Sequence, residues 1–558
     1  MKRLTKNNKI RAGLIIDDCD QSSSVLDIYK NSTNAKNYEI CCLIIQSKKE
    51  KNINLFLKIV RFINKNGLEK LISLLLFKII RFFEKKIALR NKKFRYFFKK
   101  YKIDNFPIKK IFVSPKISNS GFIYHYTEND LKKINNEKLD ILIRAGSGIL
   151  KGKILNLCSL GILSFHHGNN DFYRGGPPAF WEVYKKEPST GFIIQKLNSE
   201  LDGGDVIFKG SIPTSGYYIL NLIKIYRKSI FFMNSVLEKI GRDKSYSYKY
   251  PKKPYYNRLF ITPSLYELII YSLKTAFYFI NKINYKLQPK KLIWNVAYQF
   301  SDDWKSSVLR KSIVIQNPKN RFLADPFIYI KDNNYYCFVE DYNLVKKKGS
   351  ISIYKINNKG YEFISEIISE QFHLSFPYIF EFNKNLYLCP ESNSINEIRL
   401  YKCKKFPYEW EFHSTIMKNV RAVDNMIIKY KNLWWLLTNI DSANVGDTSS
   451  ELHIFSSKSP LTKNWKPHKL NPVIFNANKA RNGGFIKKDG SIYRVHQKQG
   501  FSLYGESMGI SKIIEINNHT YEEKEIFNIK PEFFKGIVST HTINSSGNLT
   551  VFDYAKFK

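Results

Sequence analysis

From residue 9 to about residue 200 the chain alternates short apolar runs with stretches of helical spacing. KIRAGLIID at Lys9–Asp17 and YEICCLIIQ at Tyr38–Gln46 are apolar enough to be strands covered on both faces. Ile111–Val113, Asp140–Arg144 (DILIR), Gly161–Phe165 (GILSF) and Gly191–Gln195 (GFIIQ) continue the series. Helical segments between several of them predict an open, mostly parallel α/β sheet. Ligands of such sheets sit beyond the carboxyl ends of the strands, and His166 directly follows one.

A basic segment of about residues 47–110 separates the second and third strands. In it Leu68, Leu71, Ile72, Leu75, Ile79 and Phe83 repeat at helical spacing, with Lys70, Lys78, Arg81 and Lys85 on another side. Such a helix either lies on an anionic membrane surface or packs its stripe on the sheet. Amphipathicity alone is common, so packing on the sheet is the expectation. Residues 246–290 form a connector, in which Tyr250–Tyr256 (YPKKPYY) breaks regular structure and Ser264–Ile283 regains helical spacing.

From Ile293 the texture changes to aromatic and β-branched runs separated by turns, which predicts an all-β region. Phe322–Ile330, Phe376–Phe382, Val423–Lys429 and Gly483–Lys487 begin similar units, at the spacing of a four-stranded propeller blade. Pairing of the Thr542–Asp553 hairpin with Ile293–Tyr298 would close a ring. A five-bladed propeller is expected, and a β-sandwich is the competing reading.

Composition narrows this picture. Across 558 residues, 90 Lys and Arg against 48 Asp and Glu leave a charge of +42, which favours anionic partners: nucleic acid, acidic lipid or a nucleotide-linked substrate. A lysine-rich genome explains the same excess. No RNA-binding signature interleaves the cations, so nucleic acid is not expected. Seven cysteines show neither zinc spacing nor a disulfide framework, and no metal site is expected. The start lacks an apolar signal core and no apolar run is long enough to span a bilayer, so the expected location is the cytoplasm, with peripheral contact at the inner membrane face left open.

The chemistry concentrates in residues 164–207. Ser164-Phe165-His166-His167-Gly168-Asn169, Tyr173-Arg174-Gly175 and Leu201-Asp202-Gly203-Gly204-Asp205 follow at separations that resemble the N-terminal domain of the 10-formyl-tetrahydrofolate-dependent formyltransferases. That resemblance covers about residues 9–245 and implies a Rossmann-like fold with 10-formyl-tetrahydrofolate as formyl donor. It implies that His166 polarises the formyl oxygen while Asp202 orients the imidazole and relays protons. The family's Asn is replaced by Ser164, and loss of one oxyanion donor costs about 2–4 kcal/mol of transition-state stabilisation. His167 or Asn169 is the expected substitute. Arg174 and Tyr173 are candidates for substrate contact or site ordering, and Gly146 and Gly148 for a loop admitting the pterin.

Residues 293–558 resemble the N-terminal domain of plant glucosamine inositolphosphorylceramide transferase, through LADPF (323–327), LSFPY (374–378), CPES (389–392), Val423-Asp424, WKPH (465–468) and ARNGG (480–484). The plant enzyme's transferase domain is expected to be absent here. Asp325, Glu391 and Asp424 are expected to converge on a central channel, joined by Arg481 and His496, as carboxylates do in glycoside cleavage.

Together these readings give an α/β domain over 1–245, a helical connector over 246–290 and a propeller over 291–558. The leading expectation is transfer of a formyl group to an amino-sugar or nucleotide-sugar acceptor in surface glycan or glycolipid assembly. The alternatives are a non-catalytic glycan-binding protein and a propeller glycosidase.

Overall fold

The structure is a computed structural model. It describes residues 9–18, 20–46, 55–102, 106–246, 250–287 and 291–558. The chain start before Lys9 and the first part of the basic segment (47–54) lie outside the described residues. The chain divides into two compact units, residues 1–280 and 281–558.

In the first unit, strands β1 (Ile10–Ile16), β2 (Tyr38–Gln46), β3 (Lys109–Val113), β4 (Ile141–Arg144), β5 (Ile162–His166), β6 (Ser189–Lys196) and β7 (Asp205–Pro213) form one sheet of order β7-β6-β5-β4-β1-β2-β3. The pairs from β5 to β3 are parallel, and β6 and β7 add antiparallel. The apolar runs are explained by this: Ile15, Ile44, Leu142 and Ile162 are fully buried because both faces of the sheet are covered.

Helices cover the sheet. The unit's helices include α1 (Ser23–Thr33), α2 (Leu55–Asn66), α3 (Leu68–Ala88), α4 (Glu128–Asn135), α5 (Trp181–Lys185), α6 (Tyr218–Asp243) and α7 (Leu265–Leu287), of which α1, α4 and α6 lie against strands of the sheet. Helix α4 starts where Thr127 and Asp130 form a reciprocal capping box. Helix α3 corrects the sequence expectation. Its buried positions are Ser73, Phe77, Glu84 and Ala88, whereas Leu68, Ile72, Leu75, Ile79 and Phe83 face outward. The reason is Glu84, whose carboxylate accepts from the Ile219 N–H at the start of α6 (2.8 Å) and from the Tyr271 hydroxyl of α7. That buried junction fixes the rotation of the helix.

In the second unit, three sheets follow in chain order. The first is β10 (Arg321–Lys331), β11 (Asn334–Asn343), β12 (Lys348–Asn357) and β13 (Gly360–Ile368), preceded by β8 (Leu292–Phe300) and β9 (Ile313–Ile315). The second is β14 (Ser375–Phe382), β15 (Asn385–Glu391), β16 (Glu397–Lys405) and β17 (Glu409–Lys418). The third contains β18 (Ala422–Tyr430), β19 (Leu433–Ile440), β20 (Glu451–Ser457) and β21 (Lys466–Pro467).

Further strands include β22 (Asn482–Lys488), β23 (Ser491–Gly500), β24 (Leu503–Ile516), β25 (Tyr521–Ile529), β26 (Ile543–Ser546) and β27 (Leu549–Phe557). They join β8 and β9 in one larger sheet, β9-β8-β27-β26-β22-β23-β24-β25. Strand β8 pairs antiparallel with β27 over its whole length, so the first and last strands of the unit are hydrogen-bonded. The lead strands lie against one another in turn: β10 on β14, β14 on β18, β18 on β22, β22 on β26, and β26 back on β10.

Candidate active site

His166 ends β5, and Ser164 two residues earlier shares its face because side chains alternate along a strand. The chain then turns at Gly168, where a Cβ would stand 2.9 Å from His166 Nε2 and 2.9 Å from the Tyr173 carbonyl, so the loop closes over the imidazole only without a side chain. His166 Nε2 lies 2.6 Å from that carbonyl oxygen, which can only accept, so the nitrogen carries the proton. Nδ1 lies 3.4 Å from Asp202 Oδ1, and Asp202 Oδ2 accepts from the Gly175 N–H at 3.0 Å.

Burial lowers the His166 pKa, but the Asp202 carboxylate and the Tyr173 carbonyl outweigh it and hold the imidazole above 6.5. Burial raises the Asp202 pKa, and the imidazole more than reverses this, leaving the carboxyl below its ordinary range. Both shifts favour the ion-paired form of the dyad, in which both ring N–H groups are engaged.

Two neighbours that the sequence reading passed over complete the site. Arg144, at the end of β4, donates from Nη1 to Ser164 Oγ at 3.2 Å and from Nη2 to the Gly148 carbonyl, while its Nε is buried without a partner. Burial lowers its pKa and the charge of Asp202 acts against that. The short Ser164 side chain thus leaves room that a guanidinium fills. Glu182 of α5 is 2% exposed, its Oε1 has no partner, and burial pushes its carboxyl up to about 7 beside His166. The signals available were an arginine closing the DILIR strand and an acid inside the apolar FWEV run.

Other expectations at this site are corrected. The His167 ring stacks on Tyr226 of α6 at 3.8 Å and bonds Ser229 at 2.8 Å, so it belongs to the packing of α6 rather than to the site. Burial brings its pKa down to about 3. Asn169 is used in the turn: its Oδ1 accepts from the Asp171 N–H and its carbonyl from the Phe172 and Tyr173 N–H groups. The space at Gly148 is taken by the Tyr124 ring and that at Gly146 by Gln46, so these glycines pack the chain's own side chains instead of forming a cradle.

Tyr173 contributes its carbonyl, while its hydroxyl donates to Glu187 at 2.7 Å. Arg174 is turned from the dyad, donating to the Asn170 carbonyl at 3.1 Å and lying over the Tyr255 ring. It lines a cleft of about 190 Å³ beside Gly203, with Asn170, Lys209, Lys252 and Lys253.

The second unit holds a separate cluster. Each of the first three lead strands carries a bulge at the same place, with left-handed backbone at Asp325 (φ 49°), Phe376 (φ 45°) and Asp424 (φ 50°). Side chains other than glycine rarely take this conformation, and a bulge re-aims what it carries. Glu340 and Glu391 occupy matching register positions on the second strands, opposite Ala324 and Ser375.

Asp424 accepts from Arg481 Nε at 2.6 Å and from Gln497 at 3.1 Å. Asp325 accepts from the Thr542 hydroxyl at 2.9 Å and faces His541 Nε2 at 3.6 Å, and His541 Nδ1 bonds Asp553 at 2.7 Å. Burial pushes Asp325 up to about 6, and burial with the surrounding acids holds Glu340 and Glu391 well above the carboxylate range. The structure thus brings Asp325, Glu391, Asp424 and Arg481 together and adds Glu340, His541 and Asp553. His496 is excluded, being bonded to Glu525 (3.2 Å) and Ser511 (3.4 Å). Asp325, His541 and Asp553 offer ligand atoms within 4.8 Å of one another, a geometry that could hold a metal ion, although no metal was expected from the sequence.

Tyr504 lies over the Arg481 guanidinium and Trp294 stacks on His541, so aromatic faces border these acids. Residues 229–544 match the family model described as glucosamine inositolphosphorylceramide transferase 1, N-terminal. The chain belongs to this family. It is 37% identical over 215 residues to glucosamine inositolphosphorylceramide transferase 1 of Arabidopsis thaliana, covering 38% of this chain and 28% of that protein. The chain therefore spans little more than a quarter of such a relative's length.

The N-terminal part is formyltransferase-like: 83 residues are 37% identical to methionyl-tRNA formyltransferase of Wigglesworthia glossinidia brevipalpis, covering 15% of this chain and 25% of that one. Among solved structures, glycinamide ribonucleotide transformylase 1 from Symbiobacterium toebii aligns with a TM-score of 0.28 and 12% identity, over 43% of this chain and 92% of that one.

Proposed function

We propose that the first unit transfers a formyl group from 10-formyl-tetrahydrofolate to the amine of a sugar, in the assembly of a surface glycan or glycolipid. The observation that carries this reading is the meeting of His166 and Asp202 at 3.4 Å beyond the carboxyl end of a central parallel strand. The acceptor amine forms a bond to the formyl carbon, the carbonyl oxygen takes the charge, and the bond to the donor nitrogen breaks as that nitrogen receives a proton from the amine. His166 presents an N–H to the developing oxyanion once the formyl oxygen replaces the Tyr173 carbonyl as acceptor. Asp202 keeps the ring charged and oriented. The donor is a consumed substrate, leaving as tetrahydrofolate once its formyl group is transferred.

The second unit is read as a five-bladed propeller. The ring of lead strands and the pairing of first with last strand support this, and its acidic, aromatic mouth suits a sugar. With the formyl donor and a set of nucleotide-linked amino sugars, the full chain should release tetrahydrofolate, and His166→Ala should abolish release. Absence of release with every amine, together with absence of folate binding by calorimetry, would exclude the reading.

A second reading rests on the convergence of Asp325, Glu340, Glu391 and Asp424, where carboxyls held above their ordinary range by burial stand beside one paired with Arg481, the kind of carboxyl pair that glycoside cleavage uses. Hydrolysis of aryl glycosides that Glu391→Gln removes and His166→Ala leaves intact would establish it. Glycan binding without turnover at either site would instead mark a recognition protein.

A further inference from the structure

Two neighbouring helices of the first unit are built inside out. On α3 the buried residues Ser73, Phe77, Glu84 and Ala88 occupy one side, and at 100° per residue the stripe Leu68, Ile72, Leu75, Ile79 and Phe83 falls opposite. Leu75 is 50% and Phe83 62% exposed. On α7 the same inversion occurs: Leu268, Tyr271 and Thr275 are buried, while Tyr266, Ile269, Leu273, Phe277 and Ile280 face outward, Leu273 being 66% and Phe277 63% exposed.

The two buried faces meet at one junction, where Tyr271 donates to Glu84 and accepts from the Tyr218 N–H at 2.8 Å. Lys70 of α3 also donates to the Thr262 carbonyl just before α7, at 3.1 Å. Both stripes are therefore turned away from the same polar core. Helix α2, packed on α3, adds exposed Phe56 and Leu57.

Exposed apolar stripes of this kind mark an interaction surface. Its rim is cationic: Arg61 and Lys65 on α2 and Lys78, Arg81, Lys85 and Lys86 on α3 are exposed. Among the described residues of α2 and α3 only Glu69 is an exposed acid, and on α7 Glu267 is paired with Arg258 at 2.8 Å. A second copy of the chain would set these cations against their own kind. Among the described residues, no helix is long and apolar enough to cross a membrane.

We propose that α2, α3 and the first four turns of α7 form a docking face for an anionic lipid bilayer, with the stripes entering the acyl boundary and the basic rim meeting the headgroups. The inverted packing follows from this. Lipid replaces water over the leucines and phenylalanines, while Glu84 and Tyr271 satisfy each other in the interior.

The test uses the full chain with sedimented vesicles of phosphatidylcholine, alone or mixed with phosphatidylglycerol. Wild type should bind the anionic vesicles, bind the neutral ones far more weakly, and dissociate as salt rises. Leu75→Glu and Leu273→Glu should each weaken binding at least about tenfold, because each removes one large side chain from the bilayer. Lys78→Gln and Lys85→Gln should each weaken it about fivefold, and only on anionic vesicles. All four positions are exposed, so circular dichroism should show unchanged folding.

Failure of wild type to bind either vesicle, or equal binding by the Leu75→Glu/Leu273→Glu variant, would overturn the proposal. So would a wild-type dimer that this variant dissolves in the absence of lipid binding, which would make the face a junction between copies.

Discussion

Replacing Asp202 by Asn removes one charge from the dyad while keeping its volume and an acceptor for the Gly175 N–H. In the native protein burial opposes the imidazolium, and Asp202 is the largest influence holding it charged. Without the carboxylate, burial prevails and the His166 pKa should fall below 6.5. The sign follows from linkage. A histidine whose folded pKa is raised contributes stability that is complete below 6.5 and disappears as pH rises through the folded value.

The loss on Asp202→Asn should therefore be largest on the acid side, shrinking above the native pKa where a neutral ring needs no counter-charge. Truncating one partner of a buried pair costs about 3–5 kcal/mol. Here the ring can deprotonate, and the Asp202 side chain keeps 19% exposure, so about 1–3 kcal/mol is expected on the acid side. Histidine-selective NMR titration, with His166→Ala identifying the resonance among 10 histidines, reads the pKa, and urea unfolding on either side of neutrality reads the stability. A His166 pKa still above 6.5 in the variant, or a destabilisation equal at both pH values, would refute the reasoning.

Three further outcomes are expected. Ser164→Asn should not restore a missing donor: Ser164 is 1% exposed with Arg144 Nη1 at 3.2 Å, so the larger side chain should cost about 1–3 kcal/mol in thermal unfolding and push the guanidinium aside, and a gain in both stability and turnover would contradict this. Glu84, pushed up to about 7 by burial, contributes stability that is full below 4.5 and lost as pH rises through about 7, so Glu84→Gln should flatten that part of the stability profile. Arg494 is fully buried on Glu523 at 2.7 Å, and Arg494→Met should cost about 3–5 kcal/mol at neutral pH, with the penalty shrinking as pH falls from 4.5 towards 2 and Glu523 is able to protonate.

Much of this protein is written in local pattern. The unbroken runs at Ile10–Ile16 and Tyr38–Gln46 pointed to strands covered on both sides, and the resemblance of the His166 and Asp202 motifs to the formyltransferase family implied the pair that the structure brings together. The similar units beginning at Phe322, Phe376, Val423 and Gly483 foretold where lead strands of the second unit begin, and Glu340 was discoverable as the register mate of Glu391.

Spacing cannot report which way an amphipathic helix is turned. The repeat from Leu68 to Phe83 is equally consistent with packing inward or outward, and the choice was made by a distant contact, Glu84 with Ile219 and Tyr271. Nor could pattern place Arg144 against Ser164, or set His167 against Tyr226 rather than beside His166. Those outcomes depend on which side chains from remote strands and helices compete for the same buried volume and the same protons. Only the assembled fold settles that competition, because burial and opposing charge have no value until the elements meet.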